Sequence, residues 1–249
     1  MNDFSRTVQS WRRARRFSQL SLAVEADVST RHISFLETGR ARPSVDMIKR
    51  LGDALQLPLA ARNQMLTFAG FAVQHHARSW SAEEMAPIRA AVDYTLNQHA
   101  PYPALAIDRL WTIVQMNGPA RALFGPINLN EGDSLLDLML SDTLPPLIEN
   151  WPEVAHHAAQ RLRTESTAQG GIIVLDKAAE KLAEVPKGFS HSNGPVIPTI
   201  FRAGSVRLSL FTTIAQFGTP EDLTLDDLRI ELYFPADLET EEALRALAA

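Results

Sequence analysis

The stretch "FSQLSLAVEADVSTRHISFLETGRARPS", residues 17–44, decides the fold of the first part of the chain. It contains two short helical patterns that are joined by a tight turn at Asp27. Ser18 and Ser29 stand where N-caps are favoured, and Gly39 follows the second pattern as a C-cap. The stretch therefore predicts two short helices joined by a turn and followed by a cluster of arginines.

The flanking residues extend this pattern to five helices. Phe4, Val8 and Trp11 keep one helical face before the stretch, and two further apolar stripes follow it in "VDMIKRLGDAL" and "LAARNQMLTFAGFA". In the first helix of the central pair, the expected buried face consists of Leu20, Leu22, Ala23 and Ala26. We therefore predict an all-α head over residues 1–72.

The charge of the chain is unevenly divided. The 249 residues carry a formal net charge of −5, but residues 1–62 carry +5 and the remainder −10. A basic head on an acidic body favours a polyanionic partner for the head alone. The chain has no cysteine, which excludes disulfides and thiolate sites, and no apolar run reaches the roughly 18 residues of a membrane span. We expect a cytoplasmic protein without a membrane partner.

The segment "SQLSLAVEADVSTRHISFLETGRARPS" resembles the XRE family of lambda-repressor and Cro-like DNA-binding domains, across residues 5–70. The resemblance implies a lambda-repressor-like fold that binds a double-stranded DNA operator. It places Gln19 against a phosphate or a base edge. The groove-facing side of the recognition helix, by the same resemblance, carries Ser29, Thr30, Arg31 and Ser34. Arg40 and Arg42 would contact backbone phosphates.

Elementary chemistry agrees with these assignments, but some have a structural alternative. Hydroxyls bind phosphates or bases, and an arginine can bridge two acceptors of guanine. Ser29 fits equally well as an N-cap that contacts no DNA. Arg12 and Glu37 resemble the internal ion pair of the family, which joins the first and third helices, so Arg12 is assigned a structural role.

The body of the chain alternates between helical and strand patterns. "APYPALAIDRLWTIVQMN" predicts two short strands about a turn, and "SLLDLMLSD" and "NWPEVAHHAAQRLRTES" predict helices. The β-branched and aromatic segments "PVIPTIF", "VRLSLFTTIAQF" and "LRIELYF" predict further strands of a small antiparallel sheet, followed by a terminal helix. The pattern is typical of an α+β domain.

This layout is similar to the MmyB-like ligand-binding domain, a PAS-like domain that follows an XRE head in many bacterial regulators. "PALAIDRLWTIVQMNGPARALFG", "LLDLML" with the helix after it, and "FTTIAQFGTPEDLTLDDLRIELYFPAD" carry the similarity, which is weakest over residues 170–195. We predict a linker at residues 73–84 and a ligand-binding and dimerisation domain at residues 85–249.

The similarity implies a hydrophobic cavity that holds a fatty acid or a similar apolar small molecule. The candidate ligand-binding residues are Tyr102, Ile113, Met116, Asn117, Phe124, Met139, Phe211 and Phe217. Each of the apolar ones is equally suited to an ordinary core, and methionine and phenylalanine adapt well to apolar pockets. Asn117 has the alternative role of capping the helix "GPARALF".

The sequence contains no motif for catalysis, a metal or a cofactor. It lacks H-E-x-x-H, and the adjacent pairs His75/His76 and His156/His157 point in different directions on a helix. "GFSHSNG", residues 188–194, superficially resembles a nucleophile elbow, but a serine replaces the second glycine. We therefore predict no catalytic residues, no metal site and no nucleotide cofactor.

The leading hypothesis is a homodimeric transcription regulator that responds to a small apolar ligand. Two-fold symmetry would place two recognition helices one turn apart on a palindromic operator. In the alternative hypothesis the body is only a scaffold, with a filled core, for dimerisation or for a partner protein. The third hypothesis is an enzyme of lipid or small-molecule metabolism with a DNA-binding head.

The DNA assignments predict different effects for different arginines. Arg31→Ala should weaken binding to a specific operator far more than binding to random DNA, because Arg31 is assigned to bases. Arg40→Ala and Arg42→Ala should weaken both and flatten the salt dependence of affinity, because they are assigned to phosphates. Fluorescence anisotropy at several salt concentrations measures both effects, and equal losses on the two DNAs for Arg31→Ala would refute its assignment.

Overall fold

A computed structural model describes residues 2–186, 195–204, 206–218 and 220–247. The chain divides into two compact units. The first unit contains residues 1–77 with the segments 167–171 and 220–226, and the second contains residues 78–166, 172–219 and 227–249. Within the described residues, no helix combines the length and the hydropathy that a membrane span requires.

The first unit contains the five predicted N-terminal helices. Their bounds are α1 Asp3–Ala14, α2 Gln19–Glu25, α3 Thr30–Thr38, α4 Val45–Ala54 and α5 Leu59–Phe68. The local signals in the sequence work as expected: the side chain of Ser18 caps α2, and that of Ser29 caps α3. Gly39 ends α3 with φ at 75°, in the left-handed region that glycine enters without steric cost.

The buried face of α2 differs from its prediction at one residue. Leu22 and Ala23 are buried in the core of the first unit, but Leu20 is 63% exposed, as is its neighbour one turn on, Val24, at 73%. Residues two apart lie about 200° apart around a helix, so Leu20 and Leu22 cannot share one narrow face. The expectation that Leu20 is buried was therefore wrong.

The second unit is built from helices and one sheet, as its α+β pattern predicted. Its helices are α6 Ala86–Gln98, α7 Gly118–Phe124, α8 Leu135–Leu140, α9 Trp151–Ala168, α10 Ile173–Ala183 and α12 Leu238–Leu247; the short α11, Leu223–Asp226, groups with the first unit. Its strands are β1 Ala104–Ile107, β2 Ile113–Met116, β3 Thr199–Ala203, β4 Val206–Ala215 and β5 Arg229–Pro235.

The five strands form one antiparallel sheet in the order β2-β1-β5-β4-β3. Register fixes which residues share a face, because side chains alternate along a strand. Leu105 of β1 lies opposite Glu231 of β5, and Thr212 of β4 lies opposite Tyr233. These four side chains belong to one face of the sheet, and Phe211 belongs to the other.

Helices cover both faces of this sheet. Val92 and Leu96 of α6 pack in a cluster with Ala104 and Ile230 on one face. On the other face Leu105 belongs to a larger core with residues of α8, α9 and α10. Helix α10 lies where the family similarity is weakest, yet its buried residues Leu175, Ala178, Ala179 and Leu182 follow helical spacing.

Asn117, directly after β2, ties together four backbone groups in the interior of the second unit. It is 1% exposed. Its Oδ1 accepts from the amides of Ala104, at 3.0 Å, and Ala120, at 2.9 Å. Its Nδ2 donates to the carbonyls of Leu96 and Tyr102, both at 2.9 Å. One amide side chain therefore satisfies the end of α6, the start of β1 and the N-terminus of α7.

Asn117→Ala should destabilise the second unit by about 3 kcal/mol, because the substitution leaves buried donors and acceptors without partners. Thermal melting of the full chain followed by circular dichroism measures the loss. Asn97→Ala, which removes an exposed asparagine near the end of α6, is the control and should leave melting unchanged. An Asn117→Ala protein that melts like the control would show that water replaces these hydrogen bonds without cost.

Candidate functional site

Helix α3 presents one side to solvent because its other side is anchored in the core. Ile33 and Leu36 are 0% exposed. Arg31 lies on the exposed surface, with its guanidinium carbon 5.1 Å from the centre of the Phe35 ring. This contact is a cation–π interaction, which holds a long side chain in place while its N–H donors stay accessible.

With the exception of Gln19 on α2, the other predicted DNA-contacting residues lie on α3 or next to it. Thr30 and Ser34 are half-buried on the helix, and Arg40 and Arg42 are exposed in the segment that follows it. Ser29 accepts a hydrogen bond from the amide of His32 at 3.2 Å, so it performs the capping role that was its structural alternative. The fold thus places one arginine on α3 and two directly after it.

Gln19, which is half-buried, makes a hydrogen bond inside the first unit. Its Nε2 donates to Glu37 Oε2 at 2.8 Å, and Arg12 Nη2 donates to the same oxygen at 3.0 Å. Arg12 Nη1 also donates to the carbonyl of Phe17 at 2.8 Å. Three helices are joined in this way, because Arg12 belongs to α1, Gln19 to α2 and Glu37 to α3.

Glu37 is a carboxylate in the core of the first unit, 1% exposed. Burial raises the pKa of Glu37, but the hydrogen bonds from Arg12 and Gln19 and the charge of Arg12 outweigh burial, so the pKa lies below its ordinary value. The carboxylate is therefore ionised at neutral pH and holds the orientation of α3 relative to α1 and α2.

A cavity of about 420 Å³ lies in the second unit, on the sheet face that carries Glu231 and Tyr233. This volume is within the range of small-molecule sites, which is roughly 300–1,000 Å³. Most of the lining is apolar: Trp111, Phe124, Leu135, Leu138, Met139, Leu144, Ile148, Val154, Ala158, Ile197 and Phe201. The polar lining residues are His157, Arg161, Thr199, Thr212, Glu231 and Tyr233.

One buried cation, Arg161 of α9, organises the polar end of this cavity. Its Nη2 lies 2.6 Å from Glu231 Oε1, and its Nε donates to Glu165 Oε1 at 2.7 Å. Glu165 Oε2 accepts from Trp111 Nε1 at 2.9 Å, and the guanidinium lies 4.4 Å from the Trp111 ring centre. The hydroxyl of Tyr233 donates to Glu231 Oε2 at 3.1 Å.

The protonation states of this cluster follow from its charges. Burial lowers the pKa of Arg161, but Glu231 and Glu165 outweigh burial and raise it above its ordinary value. Burial and the Glu231 carboxylate raise the pKa of Tyr233 well above its ordinary value. The polar end therefore holds a permanent guanidinium and a phenol that keeps its proton.

These residues were not predicted from the sequence, although Glu231 carries one signal that points to a buried charge. Glu231 stands in "LRIELYF" as the single carboxylate between apolar residues of a strand, a pattern that favours a buried, paired charge. Arg161 lies on α9 beside the buried Leu162. Their pairing depends on the packing of α9 against β5, which the sequence does not specify.

The structure places two of the eight predicted ligand-binding residues, Phe124 and Met139, on the cavity. Phe211 is on the opposite face of the sheet, where it stacks on Phe234 with ring centres 5.5 Å apart. Because neighbouring side chains of a strand point to opposite faces, Thr212 lines the cavity and Phe211 does not. Phe217 packs with the α6 cluster.

The other four predicted ligand-binding residues have structural roles. Ile113 and Met116 are buried in the core beside the cavity without lining it. The Tyr102 hydroxyl donates to Glu241 Oε1 of α12 at 3.0 Å. Asn117 uses its hydrogen-bonding groups on the backbone, so its alternative role as a cap is the one the structure shows.

Within the described part of the chain, no group of three or more histidine, aspartate or glutamate side chains is arranged to hold a metal ion. His156 and His157 form an edge-to-face pair with ring centres 5.4 Å apart. The segment "GFSHSNG" lies outside the residues that the structure describes.

Comparison with known protein families gives two matches. A family model described as an MmyB-like transcription regulator ligand binding domain matches residues 88–247, and one described as a helix-turn-helix domain matches residues 3–65. No curated protein matches the chain. The first match covers more than half of the chain and includes every residue that lines the cavity; the second includes α3.

Replacing Glu37 by glutamine tests the network behind α3. At pH 7, Glu37→Gln should destabilise the first unit by about 3 kcal/mol, because it leaves the guanidinium of Arg12 partly buried and unpaired. A lowered pKa stabilises the fold above the unfolded value of about 4.3, and the contribution is lost as pH falls through the folded value. The wild type should therefore lose more stability than the variant between pH 5 and 3.

Thermal melting at each pH measures this difference on the full chain. Glu25→Gln, at an exposed glutamate of α2, is the matched control and should follow the wild type. Parallel pH profiles for the wild type and Glu37→Gln would mean that the carboxylate contributes no pH-dependent stability.

Proposed function

Because this chain belongs to the family of transcription regulators with an MmyB-like ligand binding domain, we propose that a small apolar ligand controls its binding to operator DNA. It is a helix-turn-helix DNA-binding regulator, and the proposal concerns the ligand, the control and the homodimer. The cavity of about 420 Å³ carries the proposal, because a domain that serves only as a scaffold would have no need of it.

The first unit supplies the DNA contacts. Under this proposal Arg31, exposed on α3, reads base edges, and Arg40 and Arg42, exposed in the segment after α3, contact backbone phosphates. The +5 charge of residues 1–62 supports the same assignment, because phosphates dominate the affinity of DNA-binding proteins. Gln19 is proposed to contact a phosphate or a base edge, and it also holds Glu37, and through it α3, in position.

The second unit supplies the ligand site. Its apolar lining of leucine, phenylalanine, methionine and valine side chains suits a hydrocarbon chain, such as that of a fatty acid or a similar molecule. Ligand binding inside the unit would alter how two copies of the chain present their recognition helices to the two halves of an operator. By thermodynamic linkage, DNA and ligand must then change each other's affinity by the same factor.

The scaffold hypothesis is the second candidate, and it expects a filled core in the second unit. The cavity does not fit this expectation, because the core is not filled there. The matched family is described as a ligand binding domain. Neither matched family is described as an enzyme. The regulator hypothesis therefore accounts for both units with one function.

Native mass spectrometry of the purified full chain, followed by denaturing extraction, tests whether a small molecule occupies the cavity. We expect an apolar compound bound to a dimer. Ala158→Phe should abolish the added mass, because Ala158 lines the cavity and phenylalanine fills part of it. Ala91→Phe, the same substitution at an exposed residue of α6, should retain it.

The extracted compound should also change the affinity of the stripped protein for an operator selected from random DNA, by about tenfold. The same change should be absent in Ala158→Phe. A bound compound that leaves operator affinity unchanged would remove the regulatory part of the proposal, and occupancy that survives in Ala158→Phe would move the ligand to another site.

A further inference from the structure

The charges at the polar end of the cavity restrict which ligand it can accept. Arg161 contributes one positive charge, and the two carboxylates that contact it, Glu231 and Glu165, contribute two negative ones. Thr199, Thr212 and Tyr233 add no charge, and His157 is counted as neutral, as it is in the formal net charge of the chain. Among the described lining residues and their bonded partner Glu165, this end therefore has a net charge of −1.

The positive charge of Arg161 is already paired with two carboxylates of the protein. It lies between Glu231 and Glu165, which are close enough to neutralise it, and its raised pKa reflects this pairing. A ligand carboxylate at this position would be a third negative charge around a single cation in a site partly shielded from water. Like charges in such a site cost much more than they do in water.

The polar lining offers hydrogen-bond partners for a neutral group. Thr199, Thr212 and Tyr233 each carry a hydroxyl, which both donates and accepts hydrogen bonds. A hydroxyl or an amide of a ligand can bond to such groups without adding a charge. The Arg161–Glu231 ion pair is closed by comparison, because Arg161 Nη2 and Glu231 Oε1 lie 2.6 Å apart and both atoms are buried.

We infer that the ligand of this cavity is an amphiphile with an apolar chain and an uncharged polar end, a hydroxyl or an amide, and that the cavity discriminates against a free carboxylate. This inference rests on the proposed function and defines the ligand class of the same site. An ammonium group would be attracted by Glu231 and Glu165, but it would face the guanidinium of Arg161 and lose its hydration.

Isothermal titration calorimetry on the full chain, stripped of bound compounds, tests the inference with decanol, decanoate and decylamine. The three probes share one chain and differ in the charge of the polar end. At pH 8 the carboxylic acid of decanoate is ionised. Decanol should bind at least about tenfold more tightly than decanoate, because only decanoate adds a third negative charge. This ranking on the wild type requires no variant to fold.

Glu165→Gln tests the physical cause. Glutamine removes one negative charge and keeps one oxygen, which can accept from Arg161 Nε or from Trp111 Nε1, since these two groups donate to different oxygens of Glu165. The affinity for decanoate should rise about tenfold, while that for decanol should change little. Glu180→Gln, at an exposed glutamate of α10, is the matched control and should leave all three affinities unchanged.

Each other outcome overturns a defined part of the argument. Decanoate binding as tightly as decanol would overturn the inference and leave the proposed apolar ligand in place. Decylamine binding tightest would assign a cationic ligand instead of a neutral one. If none of the probes binds, or if Ala158→Phe binds them as the wild type does, the cavity is not the ligand site, and the proposed function fails with the inference.

Discussion

A buried carboxylate has to be paired, and each unit of this chain is organised around one. Glu37 in the first unit and Glu231 in the second are 1% and 3% exposed. Arg12 on α1 pairs with Glu37 on α3, and Arg161 on α9 pairs with Glu231 on β5. An unpaired charge inside a protein costs several kcal/mol. Each pair therefore holds its two elements together, because moving them apart would leave a buried charge without its partner.

The two pairs have different consequences because their surroundings differ. Arg12 donates to Glu37 through two nitrogens and Gln19 donates through its amide, so this network lies within the first unit and holds α3 in place. Arg31, on another side of α3, stays exposed. The Arg161–Glu231 pair lies at the polar end of a cavity, and its charges limit which ligand the cavity can accept.

Asn117 shows why polar residues near a strand end are difficult to assign from sequence. The same side chain fits a ligand-binding residue or a helix cap, because an amide both donates and accepts. The structure uses both of its polar atoms on four buried backbone groups, which leaves none for a ligand. Phe211 is also difficult to assign from the sequence. Its side chain is hydrophobic, as a ligand-binding residue's would be, but the register of β4 directs Thr212 to the cavity and Phe211 to the other face.

The sequence alone determined the local structure and the division of the chain into a basic head and an acidic body. Serine caps, the glycine that ends α3, helical and strand periodicity and the uneven charge are properties of neighbouring residues, and the five helices and the antiparallel sheet follow from them. Only the tertiary structure decided which polar groups meet, such as Gln19 with Glu37 and Arg161 with Glu231 and Glu165, and which faces line the cavity. These contacts join residues that are far apart in the chain, such as Arg161 and Glu231. A local sequence pattern does not indicate which distant residues will meet.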